Sequence, residues 1–124
     1  MNELNNLTEV ILKYSFKVHS ELGPGLLESS YKECLFYELT KHGIYVEKEK
    51  PMPLYYEEVK MDIGYRVDLM VESKVIIEIK CADSFTQVHI TQLLTYLRLS
   101  GCKVGLLLNF KTSSLRNGIK RLII

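Results

Sequence analysis

The sequence predicts an α/β fold built on a mixed β-sheet. Three observations predict it. Two helix-periodic stretches fill roughly the first forty residues. Residues 61–71 alternate apolar and polar side chains, and a short polar tip then turns the chain back into a second strand, as in a hairpin. A third helical stretch then separates that hairpin from a short, nearly all-apolar strand, "KVGLLLNF".

The first helix runs from about residue 4 to 21, with Leu4, Leu7, Ile11, Tyr14 and Val18 at helical spacing. "LGPGL" should stop it. The second helix is expected from about Leu26 to His42, with an inward stripe of Leu27, Tyr31, Cys34, Leu35 and Leu39. Gly43 suits the left-handed residue that ends it. "IYVEKEKPMPLYYEE" reads as one extended segment, and Pro51 and Pro53 suit a sheet edge. In "MDIGYRVDLMV", Ile63, Tyr65, Val67, Leu69 and Val71 face one way, and Gly64, Arg66, Asp68 and Met70 the other. "ESK" turns the chain and "VIIEIK" returns it antiparallel. The third helix spans about Ser84 to Leu99, capped by Asp83 or Ser84, with Ile90, Leu93, Leu94 and Leu97 buried. As a crossover, it would leave "VIIEIK" and "KVGLLLNF" parallel. The tail "SLRNGIKRLII" suits one helical turn and a last strand.

The chain has 124 residues, 47% hydrophobic and 25% charged, which fits a single soluble domain over residues 1–124 and excludes a disordered chain. Its longest apolar runs, about five residues, are too short to span a membrane. Three cysteines form no CxxC pair and read as reduced thiols, which points to the cytoplasm. The net charge of +1 lacks the basic excess of a protein that grips long nucleic acid non-specifically.

The chemistry gathers on the hairpin. Asp68 lies opposite its strand's main apolar set, and Glu78 and Lys80 share one face of the returning strand. Pairing across "ESK" brings Asp68 near Glu78. Two close carboxylates repel unless a cation joins them. Such hard oxygen ligands suit Mg²⁺, and a lysine beside it could position an attacking water or stabilise charge at phosphorus. The competing reading is a solvated strand face with a surface ion pair. On the third helix His89, Gln92 and Tyr96 lie within about 60° of one another. His89 fits a helix shoulder better than a site. Glu28 falls on the second helix's apolar side near Tyr31 and Leu35. It reads either as a first-turn glutamate favoured by the helix dipole or as a third carboxylate facing the sheet.

These motifs together resemble the PD-(D/E)XK nuclease superfamily, and within it the GxxExxY family. Gly25, Glu28 and Tyr31 stand in "GLLESSY", the nuclease motif in "VDLMVESKVIIEIK", and a Q-x3-Y pair in "QLLTY". "GLLLNF" and "GIKRLI" also match, so the resemblance covers about residues 8 to 123. Val67 stands where the superfamily's name has proline.

The resemblance implies a three-layer core in α-β-β-β-α-β order, with a central four- to five-stranded mixed sheet between helices. It implies a Mg²⁺-dependent nuclease, with Mn²⁺ as a substitute, that hydrolyses DNA, with RNA the weaker expectation, through a metal-activated water. Asp68, Glu78 and Glu28 match metal ligands, Lys80 matches the catalytic lysine, and Gln92 and Tyr96 match residues that arrange site and substrate. The alternative is a catalytically silent module of the same fold that binds nucleic acid or a protein partner. The edge prolines and apolar C-terminal strand also suit a homodimer.

Overall fold

The computed structural model describes residues 2–124. Two helices come first, α1 (Asn2–Leu22) and α2 (Glu28–Lys41). Then follow β1 (Val46–Pro51), β2 (Leu54–Tyr56), β3 (Val59–Met61), β4 (Arg66–Val71) and β5 (Val75–Lys80). Helix α3 (Gln87–Ser100) crosses to β6 (Val104–Asn109), and a 3-10 turn, Leu115–Gly118, leads into β7 (Ile119–Ile123).

Five strands make one mixed sheet in the order β1-β4-β5-β6-β7. β5 and β6 are parallel, joined through α3, and the other three pairings are antiparallel. Pro51 ends β1 on the sheet edge, where the missing N–H costs no ladder bond. Period-two alternation puts Val75, Ile77 and Ile79 on one face, packed with Ile11, Tyr31, Leu35 and Leu39 of α1 and α2. Ile76 and Leu107 face the other way, against Leu93, Tyr96 and Leu97 of α3. The sheet is therefore the middle of three layers. Gly105 lets α3 approach closely: a Cβ there would lie 2.9 Å from a Leu93 methyl.

Four expectations change. α2 begins at Glu28, and Leu27 is 75% exposed rather than part of the inward stripe. α3 begins at Gln87, not near Ser84, because Thr86 supplies a better cap than Asp83 or Ser84. Thr86 Oγ1 accepts from the His89 N–H at 3.3 Å, and His89 Nδ1 accepts from the Thr86 N–H at 3.2 Å. The extended segment after Ile44 is broken. β1 ends at Pro51, and β2 and β3 form a separate hairpin turned by Glu57 and Glu58, both at positive φ. Ile63 and Tyr65 lie outside β4 and are exposed.

The alternation within β4 also slips. Leu69 and Val71 pack toward α1 and α2, but Val67 packs on the α3 side with Met70. The slip lies at Asp68.

Candidate active site

At Asp68 the pairing of the sheet is interrupted on one side and ends on the other. On one side β1 pairs Lys48 with Leu69 and Lys50 with Val67. Glu49, between them, has φ 52, a conformation that costs a non-glycine residue energy. On the other side the β4–β5 ladder ends at Leu69–Ile77. The two strands splay just where Asp68 and Glu78 face each other, which orphans backbone N–H groups in the interior.

The two carboxylates take those N–H groups. Glu78 Oε2 accepts from the Asp68 N–H at 2.7 Å, and Asp68 Oδ2 accepts from the Ile79 N–H at 2.8 Å. A neutral Asn and Gln could have accepted the same bonds without the burial cost of charge. The choice of acids is therefore more than backbone repair. Burial pushes Asp68 up, against the pull of the Ile79 N–H, Lys32 and Lys80. Burial and then the Asp68 charge push Glu78 up to about 8. This pair sits in the interior short of positive charge.

Lys80 ends β5 on the same face as Glu78, and its Nζ donates to Gln92 Oε1 of α3 at 3.4 Å. Tyr96, one turn on, is buried. Burial, then the charges of Glu78 and Asp68, raise its hydroxyl pKa. Tyr65 meets its ring edge-on at 6.4 Å. Gln92 and Tyr96 thus wall the α3 side of the acid pair. His89 of the same helix is used in the cap.

Glu28 approaches from α2. Its Oε2 accepts from the Cys81 N–H at 2.8 Å, just beyond Lys80. Its position is set by Tyr31, whose hydroxyl accepts from the N–H groups of Gly25 and Leu26 at 3.0 Å each and donates to the Gly23 carbonyl at 2.5 Å. The Tyr31 ring stacks on Phe110, with centroids 4.5 Å apart. The spacing of Gly25, Glu28 and Tyr31 is thus a local device: the tyrosine pins the loop from which the glutamate starts.

The donor chemistry fits a hard divalent cation, because every acid offered is an oxygen ligand and the buried pair is short of positive charge. Asp68 and Glu78 stand together. Glu28 is turned onto the Cys81 backbone instead. Among the described residues no three His, Cys, Asp or Glu side chains are grouped closely enough to hold an ion. Mg²⁺ asks for only one or two protein carboxylates, with water and phosphate completing its shell.

Two neighbours escaped the sequence reading. Lys32 lies one turn after Glu28, its side chain 13% exposed, in an ion pair of 2.9 Å with the strained Glu49. Its charge pulls against the burial that raises Asp68. The i,i+4 spacing from Glu28 was the available signal. Asn109, at the end of β6, is 2% exposed and clamps the chain after Lys80. Its Nδ2 donates to the Ala82 carbonyl at 2.7 Å, and its Oδ1 accepts from the Ala82 and Lys111 N–H groups at 3.2 and 3.1 Å. A buried asparagine inside an apolar run offered no signal beyond its polarity.

No helix among the described residues is long and apolar enough to cross a membrane. No curated protein and no solved structure matches the chain. A family model does, the PD-(D/E)XK nuclease superfamily, over residues 5–122. With the mixed sheet, the splayed strands and the acid pair facing Lys80, the chain belongs to the PD-(D/E)XK nuclease superfamily.

Proposed function

We propose that this protein is a Mg²⁺-dependent nuclease that hydrolyses phosphodiester bonds in DNA, of the GxxExxY type. The buried carboxylate pair of Asp68 and Glu78 carries the reading, because its charge is unfavourable without a cation. Asp68 and Glu78 would hold the ion, with Glu28 as a third ligand once it leaves the Cys81 N–H. Mg²⁺, or Mn²⁺ in its place, supplies Lewis acidity at the phosphate and lowers the pKa of water.

The chain's own groups do the rest. The Lys80 ammonium, steadied by Gln92, offsets negative charge that builds on the phosphate oxygens. Lys32 is a second cation on the α2 side, held by Glu49. Tyr96 closes the α3 side against water and, with Gln92, fixes the direction from which the strand enters.

The test is cleavage of labelled single- and double-stranded DNA with Mg²⁺ or Mn²⁺. Metal-dependent products, lost in Lys80→Ala, are expected. Silence on every nucleic acid, or full activity in Lys80→Ala, would overturn the reading. The near-neutral charge favours a second reading, a silent module that binds nucleic acid or a protein partner. It predicts binding that survives Asp68→Ala and needs no metal. Self-association into a homodimer through the edge strand β7, where Ile123 and Ile124 are exposed, is checked by light scattering.

A further inference from the structure

Around Glu28, the loop between α1 and α2 walls a groove of about 650 Å³. Its lining includes Pro24, Leu26, Leu27, Glu28, Cys81 and Lys111. Its lining therefore brings the Glu28 carboxylate and a lysine together with apolar side chains. Its volume lies within the range of about 300–1,000 Å³ found for small-ligand sites. The wall is rigid, because the Tyr31 hydroxyl ties Gly23, Gly25 and Leu26 together.

Leu27 breaks a local rule here. It is the N-cap of α2, with φ −75 and ψ 154, and makes no capping bond. Ser, Thr, Asp or Asn would satisfy an N–H there, and leucine is among the poorest choices. Nor does Leu27 serve the core, since it is 75% exposed, and Leu26 beside it is 45% exposed. A residue that weakens its own helix and stays mostly exposed is accounted for by what it meets from outside.

Resting on the nuclease reading, we infer that this groove takes one unpaired nucleotide of a single-stranded DNA segment next to the bond to be cut. The base lies on Leu26 and Leu27 and the phosphate turns toward Lys111. An unpaired base can splay into a concave apolar wall, whereas a stacked base pair cannot. With a net charge of only +1, apolar contact adds to the grip that Lys111 gives. Lys111 now pairs with Asp83 at 2.6 Å, an exposed ion pair that a phosphate can displace at little cost.

The test measures anisotropy of a labelled oligothymidylate and of a blunt duplex, with Ca²⁺ in place of Mg²⁺ to suppress cleavage. The wild type should prefer the single strand by about tenfold, and Leu27→Ser should lose about as much single-strand affinity. Serine is a better cap, so its melting temperature should equal or exceed the wild type's, which separates lost binding from lost folding. Lys111→Ala should flatten the salt dependence by about 0.7 in log–log slope. Unchanged single-strand affinity in Leu27→Ser, or equal wild-type affinity for duplex, overturns the subsite. If DNA is cut with Mg²⁺ while Leu27→Ser binds normally, only the subsite falls. If Leu27-dependent binding occurs but Mg²⁺ and Mn²⁺ give no cleavage, the groove stands as a single-strand binding site alone and the nuclease reading falls. Absence of any DNA binding overturns both.

Discussion

β5 and β6 are neighbours of equal length, paired in parallel from Val75–Val104 to Lys80–Asn109. Both are buried almost throughout, yet they solve burial differently. Where β6 has Leu107, β5 has Glu78. Burying that leucine contributes about 1.5–3 kcal/mol. Burying the glutamate works the other way and pushes its pKa up to about 8. β6 has a buried polar residue too, Asn109, but it is neutral and bonded on both its oxygen and its nitrogen. A buried amide with its partners holds structure. A buried acid kept against its own ionisation marks a place where stability is given up for charge.

The sharpest way to break this contrast is to give β5 the solution β6 uses. Glu78→Gln retains an oxygen for the Asp68 N–H and removes the charge. DNA cleavage should fall by about 10³-fold in a gel assay. Thermal stability at pH 8 should rise, by about 1–2 kcal/mol in scanning calorimetry.

A pH series on metal-free protein sharpens the same point. The folded pKa of Glu78 lies above its unfolded value of 4.5. Between the two, the folded state binds more protons than the unfolded one, so stability falls as pH rises. It is fullest below about pH 4.5 and levels off above about 8. Denaturant midpoints from pH 5 to pH 8 should decline in the wild type, and the slope should flatten in Glu78→Gln.

The reverse exchange, Asn109→Leu, makes β6 wholly apolar and strands the Ala82 and Lys111 N–H groups. Denaturant unfolding should show a loss of about 2–4 kcal/mol. Tyr31→Phe removes the hydroxyl that ties the loop before Glu28. Its cost should be about 1–3 kcal/mol in the same measurement, with faster proteolysis at the loop. His89→Ala is the smallest change. It removes half a capping box, about 0.5–1 kcal/mol, and leaves cleavage intact.

Much of this was legible in the sequence because it is periodic. The α1 and α2 patterns, the β4–β5 hairpin and the nearly all-apolar β6 follow from side-chain spacing alone. The β2–β3 hairpin was hidden because Glu57 and Glu58 occupy a turn that ordinarily advertises itself with Gly or Asn. The start of α3 was misplaced because Asp83, Ser84 and Thr86 are all good caps, and only the reciprocal bond with His89 decides among them. At the candidate site, Asp68, Glu78 and Lys80 stood out as charges in apolar strands. Their hold on each other's backbone did not, because the splay at Asp68 is a tertiary event, the β4–β5 ladder ending at Leu69–Ile77. Lys32 escaped for the same reason: a lysine on a helix looks solvated until the strand it faces is known.

We propose that Asp68 and Glu78 form a cation site that serves DNA cleavage. Calorimetric titration of Mn²⁺ into the wild type and Asp68→Asn, with cleavage of a labelled strand followed in the same buffer, tests it most directly. The account predicts one saturable binding event in the wild type, none in Asp68→Asn, and cleavage that rises only as the ion binds. No Mn²⁺ binding by the wild type, or cleavage undiminished in EDTA, would contradict it.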